Sequence, residues 1–303
     1  MNATLRQLFL LGLLACMGAA RAAETPPAVT RDIAYGHNRL QTFDVYAPRD
    51  AIGAPIIFMV HGGAWRIGDK ENDRVVDAKV AHWVPKGFVF ISANNRLLPD
   101  ADPFEQARDI ANALAFAQAH AAEWGGDGTR IVLMGHSAGA HLVTLVATSN
   151  ELRAIAKPWL ATISLDTATL DVVGTMQASH YRLYDAAFGH DSSSWTRSSP
   201  IAQLTRGAAP FLLVCSTQRN DSCPQGDAFA AKARTLGVRA EVLAKDFSHR
   251  EINQLLGSDP AYTLAVDEFL ASLDQVFASR LVVREATRLE SRNETGGERP
   301  PVE

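Results

Sequence analysis

The chain reads as an α/β protein with a mostly parallel central sheet covered by helices on both faces. Three observations predict this. Short apolar, β-branched runs alternate with amphipathic stretches of helical period along most of the length. The runs Pro55-Ile56-Ile57-Phe58-Met59-Val60 and Phe88-Val89-Phe90-Ile91-Ser92 are continuously apolar, the pattern of strands buried on both faces. The third is Arg130-Ile131-Val132-Leu133-Met134-Gly135-His136-Ser137-Ala138-Gly139, an apolar run that breaks into Gly-x-Ser-x-Gly and continues at helical spacing.

The 303 residues, 47% apolar and 20% charged, can bury the core of one large domain, placed here at 28–278. Residues 1–22 have a single early arginine, an apolar stretch from Leu8 to Ala20 and an Ala-x-Ala site, the build of a secretory signal cut after Ala22 or Ala23. The stretch is too short to span a membrane. Leu13-Leu14-Ala15-Cys16 offers the alternative of a lipoprotein anchored through Cys16; on either reading the protein is exported, to the periplasm or beyond the cell. Removing Arg6 and Arg21 with the signal takes the formal charge from −4 to −6. No basic run remains, which excludes nucleic acid as a partner class. Of three cysteines, Cys215 and Cys223 are then left as an even pair in an oxidising compartment, a disulfide or else two buried thiols.

In chain order, Arg31–Tyr35 and Gln41–Tyr46 alternate as an edge hairpin, and the Pro55–Val60 strand ends in His61-Gly62-Gly63-Ala64-Trp65. A helix over Val75–Val84 stops at Pro85-Lys86-Gly87. A longer one starts near Pro103, with Phe104, Ala107, Ile110, Leu114 and Ala117 on one face. Strands at Leu160–Leu165, Pro210–Val214 and Arg239–Leu243 follow the serine segment, with a helix at Gly226–Leu236. The region 167–200 is irregular, carries Tyr181, Tyr184, Phe188 and Trp195, and is expected to lie over the site as a cap. Pro260–Phe277 is a closing helix whose apolar face includes Leu264, Val266, Phe269, Leu270 and Leu273. The charged residues 279–303 are expected to form an unstructured tail.

The chemistry follows from Ser137. A serine hydroxyl is a poor nucleophile unless it stands exposed beside a base, and a tight strand-to-helix turn lifts it clear. Gly135 and Gly139 are the residues such a turn demands, because a Cβ at either would collide. His249, the sole histidine after residue 190, follows a strand and is the candidate base; His136 and His141 are assigned to packing or to the pocket. The orienting acid should follow the Pro210–Val214 strand, which selects Asp221, with Asp166 second and Asp246 third. A Cys215–Cys223 bridge would brace the Asp221 loop. Gly62, Gly63 and Ala64 would turn backbone N–H groups toward a carbonyl oxygen, joined by the Ala138 amide. Trp65 either walls the acyl side or packs beneath the loop. Gly125-Gly126-Asp127-Gly128 lacks the Lys-Ser/Thr of a phosphate loop, and neither metal nor cofactor is implied.

His61-Gly62-Gly63-Ala64-Trp65, Asn95-Arg96-Leu97-Leu98-Pro99, Gly135-His136-Ser137-Ala138-Gly139 and Ser248-His249 together resemble the α/β-hydrolase superfamily. Within it they are similar to the bacterial carboxylesterases that include hormone-sensitive-lipase-like, feruloyl-esterase-like and kynurenine-formamidase-like proteins. The resemblance covers roughly Ile33 to Phe277. It departs at the acid loop, where Asn220 holds the usual aspartate position and Asp221 lies one residue later. It also departs at Ala64, where many lipase-like members have a third glycine. The resemblance implies an exported serine esterase with a Ser137–His249–Asp221 triad, acting on a small ester. An amidase of the arylformamidase type is the alternative enzyme. A non-catalytic binder of a ligand or partner is the alternative of another class.

Overall fold

The computed structural model describes residues 26–281, except Ala168. The signal segment 1–22, Cys16 and the tail beyond residue 281 lie outside the described residues. Eight strands form one sheet: β1 Ala28–Ala34, β2 Thr42–Ala47, β3 Ala54–Val60, β4 Val89–Ala93, β5 Gly126–His136, β6 Ala161–Leu165, β7 Phe211–Ser216 and β8 Ala240–Lys245. Their order is β1-β2-β4-β3-β5-β6-β7-β8. β1 pairs antiparallel with β2 and β2 with β4, while every other neighbouring pair is parallel.

The continuous apolar runs are explained by where they sit. β3, β4 and β6 are buried along their whole lengths, so both faces of each strand must be apolar. One face packs against helices Pro103–His120, Ala138–Thr148 and Ser222–Thr235. The other packs against helices Asp73–Trp83 and Pro260–Ala271. Three of these helices begin where a side chain satisfies a free amide. Asn72 accepts from Arg74 N at 3.1 Å, Asp102 from Glu105 N at 2.9 Å and Asp259 from Tyr262 N at 2.8 Å.

Two elements differ from expectation. The region 167–200 is not irregular but forms short helices at Val172–Gln177, Arg182–Phe188 and Ser192–Arg197. Asp171 and Asp191 cap the first and last of these. The pieces are too short for helical periodicity to register in the sequence. The closing helix ends at Ala271, and a second helical stretch covers 275–281. Ser272 Oγ donates to Phe269 O at 2.6 Å at the break, and Asp274 Oδ1 accepts Val276 N at 2.7 Å to start the next turn. Phe277 is fully buried and Arg280 Nη1 donates to Gly87 O at 2.8 Å, so residues 279–281 belong to the domain rather than to a tail. Leu264 points outward, 46% exposed; Tyr262, Val266, Phe269 and Leu270 form the buried face.

Lys79 is the least expected core residue. It is 1% exposed, and its Nζ donates to Asn253 O at 2.7 Å and Asn253 Oδ1 at 2.9 Å, which ties helix Asp73–Trp83 to helix His249–Gln254. Burial pushes the Lys79 amine down to about 7. Between that value and the ordinary 10.5, the unfolded chain binds a proton that the folded chain refuses. Folding stability therefore falls as pH drops through this window and is flat below it. Thermal melts at pH values spanning about 7 to 10.5 should show Lys79→Met with a shallower pH dependence than the parent. Parallel curves for the two proteins would contradict a neutral buried amine.

Candidate active site

β5 hands the chain to helix Ala138–Thr148 through one residue, Ser137, at φ 56° and ψ −119°. This is a conformation that side chains other than glycine rarely adopt, typically costing about 1–3 kcal/mol, and it stands Oγ clear of the backbone. The flanking glycines are required sterically. A Cβ on Gly135 would lie 2.4 Å from Gly139 O, and one on Gly139 would lie 2.3 Å from His61 O and 2.5 Å from Val60 O. Ser137 N donates to Leu165 O at 2.9 Å, so the end of β6 holds the turn.

His249 opens helix His249–Gln254, whose start is fixed by a reciprocal capping box. Ser248 Oγ accepts Glu251 N at 3.3 Å and Glu251 Oε2 accepts Ser248 N at 2.8 Å. Buried His136 donates from Nε2 to His249 O at 2.9 Å, and the two rings lie 4.6 Å apart. Burial, and then the neighbouring His249, push His136 down to about 3, which keeps it a neutral hydrogen-bond donor. Held this way, His249 Nε2 stands 2.9 Å from Ser137 Oγ. Its Nδ1 stands 2.5 Å from Oδ2 of Asp166. A carboxylate at Nδ1 fixes the tautomer: Nδ1–H donates to Asp166, and Nε2 is free to accept the serine proton.

The acid beside His249 is thus Asp166, not Asp221. Asp166 ends β6, is fully buried, and turns at φ 52°. Besides His249 it accepts Ser216 N at 2.8 Å, Ser222 Oγ at 2.5 Å and Arg219 Nη1 at 2.9 Å. Burial alone would raise its pKa. The hydrogen bonds from His249, Ser222 and Ser216, with the Arg219 charge, outweigh that and hold it far below the usual carboxylate range. Asp221 instead pairs with Arg219, Nε to Oδ1 at 3.1 Å, and its side chain is 43% exposed. Asp246 accepts Gln218 Nε2 at 3.1 Å. A disulfide joins Cys215, in β7, to Cys223, with Cα atoms 5.1 Å apart. The loop it closes delivers Ser216, Arg219 and Ser222 to Asp166. The bridged loop therefore serves the acid as donors rather than supplying it.

Across the serine lies the loop after β3. Gly63 has φ 129°, and Ala64 and Trp65 follow in the left-handed region at 52° and 59°. A Cβ on Gly62 would come within 2.9 Å of His136 O, so the loop can press against the elbow only as glycine. Among the described residues the Gly63 and Ala64 amides have no backbone acceptor, and Ala138 presents its amide at a helix N-terminus. The strained loop is held from behind. Trp65 O accepts Leu98 N and Gln106 Nε2, both at 2.9 Å, and Arg96 makes a two-point pair with buried Asp109 at 2.8 and 2.7 Å. Trp65 both packs under the loop and borders the cleft. It is 4% exposed, and its ring meets Phe188 at 5.1 Å and His141 at 5.5 Å edge-on.

These groups line one cleft of about 620 Å³, with Tyr181, Leu183 and Tyr184 contributed by the 167–200 region. Among the described residues, the carboxylates close enough to share a cation are Asp32, Asp44 and Glu71. They surround Lys70 Nζ at 2.8, 2.9 and 3.1 Å, and none borders the cleft. No described helix is long and apolar enough to cross a membrane.

A nucleophile elbow on β5, a histidine after β8 and this strand order define the architecture. The fold is that of the α/β-hydrolases. The BD-FAE family model matches residues 43–176. A probable carboxylic ester hydrolase of Mycobacterium tuberculosis, LipM, is 28% identical over 80% of this chain and 61% of its own length. A probable isoprenylcysteine alpha-carbonyl methylesterase of Arabidopsis thaliana, ICMEL1, is 33% identical over 38% of this chain and 24% of its own. The chain thus spans between 24% and 61% of the length of the curated relatives it matches first. Among solved structures, esterase B of Lactobacillus rhamnosis superimposes with TM-score 0.66 at 20% identity, over 88% of this chain and 91% of that one. This likeness is one of fold.

The sequence did not single out Arg219 or Ser222 as supports of the site. His136 and His141, assigned there to packing or to the pocket, are both buried and hydrogen-bonded beside it. His141 Nδ1 accepts Trp65 Nε1 at 3.2 Å and its Nε2 donates to Ser198 O at 2.8 Å. Burial pushes it down to about 4. Between that value and the ordinary 6.5 only the unfolded state takes the proton, so stability falls as pH falls through the window. His141→Phe should lose about 1–3 kcal/mol at neutral pH by orphaning both partners. Its stability should also fall less steeply toward about pH 4. Urea titrations at three pH values check both; an equal slope in the two proteins would contradict a neutral buried imidazole.

Proposed function

We propose that this chain is a serine esterase that hydrolyses carboxylic esters through an acyl-enzyme, with Ser137 as nucleophile, His249 as base and Asp166 as orienting acid. The observation that carries the reading is the continuous chain of contacts, Ser137 Oγ to His249 Nε2 at 2.9 Å and His249 Nδ1 to Asp166 Oδ2 at 2.5 Å. Carboxylesterase relatives over most of the chain support it.

His249 takes the serine proton as Oγ attacks the ester carbonyl, and the Asp166 carboxylate stabilises the imidazolium that forms. The Gly63, Ala64 and Ala138 amides are the donors for the oxyanion, where each lost donor costs roughly 3–4 kcal/mol. His249 then returns its proton to the leaving alcohol. Water, activated by the same histidine, releases the acid and restores Ser137. With Asp166 held far below the usual carboxylate range, the acid stays ionised throughout the working pH range. Export and the cap-like role of the 167–200 region belong to the same reading.

Hydrolysis of p-nitrophenyl esters from acetate to dodecanoate provides the test. Ser137→Ala should abolish turnover and labelling by a fluorophosphonate, and Asp166→Asn should lower kcat by about 10³–10⁴-fold. Asp221→Asn should cost less than about tenfold, since it reaches His249 only through Arg219. The reverse order for the two aspartates would return the acid to Asp221. Full turnover without Ser137 would remove the mechanism.

A further inference from the structure

The cleft has an electrical asymmetry that ester hydrolysis does not require. The chain as a whole carries a formal charge of −4. Yet the charged side chains bordering the cleft, histidines aside, are three arginines, Arg74, Arg219 and Arg250, and one carboxylate, Asp166. Arg219 is committed to Asp166 and Asp221. The other two are not committed. Neither the Arg74 nor the Arg250 guanidinium makes a hydrogen bond or ion pair with any described residue.

Both stand on one wall, on a rigid mount. Arg74 is in the first turn of helix Asp73–Trp83, and Arg250 directly follows His249 in helix His249–Gln254. The two helices are locked together by Asn253 Nδ2 donating to Arg74 O at 3.2 Å and by Lys79 Nζ donating to Asn253 O at 2.7 Å. The adjacent acids, Asp73 and Glu251, are engaged with backbone amides and do not border the cleft. Asp73 Oδ1 accepts Arg74 N at 2.7 Å, and Glu251 accepts Ser248 N at 2.8 Å. At the same mouth Ile67, Tyr181 and Leu183 are 68%, 72% and 41% exposed, an apolar surface beside the cations.

We propose that the ester this cleft takes carries an ionised carboxylate, held by Arg74 and Arg250, on an apolar body that lies against Ile67, Tyr181 and Leu183. Guanidinium groups match carboxylate oxygens in two-point geometry, and a cleft bordered mainly by one sign of charge concentrates substrates of the other. The reaction is unchanged: the acyl C–O bond breaks, water supplies the new oxygen and the alcohol leaves protonated. This inference rests on the ester-hydrolase reading and adds the charge class of its substrate.

Matched ester pairs test it. One pair places the charge on the leaving group, 4-acetoxybenzoate against its neutral methyl ester. The other places it on the acyl group, monophenyl adipate against phenyl hexanoate. The full chain should favour the charged member of at least one pair by about tenfold in kcat/KM, and about 0.5 M salt should erode that preference. The Arg74→Gln, Arg250→Gln double variant should bring the ratio to about one, while Arg206→Gln, at an exposed arginine away from the cleft, should leave it unchanged. Whichever pair responds assigns the side of the ester on which the carboxylate lies. Turnover of all four esters with no preference for charge, or a preference that survives the double variant, overturns the proposal and leaves the esterase standing. No turnover of any ester, with no labelling of Ser137, overturns the esterase reading itself.

Discussion

A carboxylate with no exposure to solvent must be met by donors on every side, and Asp166 organises the catalytic end of this sheet around that requirement. Four groups answer it: the Ser216 amide from the end of β7, Ser222 Oγ from the start of the next helix, Arg219 from the loop between, and His249 from beyond β8. Three successive βα connections are thereby tied to a single side chain. The disulfide from Cys215 to Cys223 closes the loop that carries three of the donors. The histidine is consequently fixed by the same group whose charge it needs.

The opposite side of the serine obeys a steric constraint. Elbow and oxyanion loop are in direct backbone contact, with Gly139 against His61 O and Gly62 against His136 O, so neither could be shaped independently of the other. The left-handed Ala64 and Trp65 are tolerated because Trp65 is held through its carbonyl, its indole N–H and its ring. Helix Ala138–Thr148 contributes to both sides, since it begins at Ser137 and carries the His141 that anchors Trp65.

Most of this was legible in the sequence because the signals are local. The elbow is five consecutive residues with a strand before and a helix after, the glycine loop follows a strand that could only be buried, and His249 had no competitor late in the chain. The acid that lies beside His249 differs from the one chain order selects, for a physical reason. Asp221 and Asp166 both follow strands, and chain order favours the later one; what separates them is the donor shell supplied by Ser216, Arg219 and Ser222, which exists only after folding. The helices of the 167–200 region were hidden by their shortness, and Leu264, two residues and so about 200° of helical rotation from Val266, falls off the buried face.

Arg219 shows why this difference is informative. Its guanidinium lies 2.9 Å from His249 Nδ1 and 2.9 Å from Asp166 Oδ2, and it also meets Asp221 through Nε and Nη2. One cation is thus shared by two carboxylates, of which the buried one also touches the histidine. Asp221 reaches the histidine only through Arg219, which is why its place in the sequence, close to the others, does not put it at the ring.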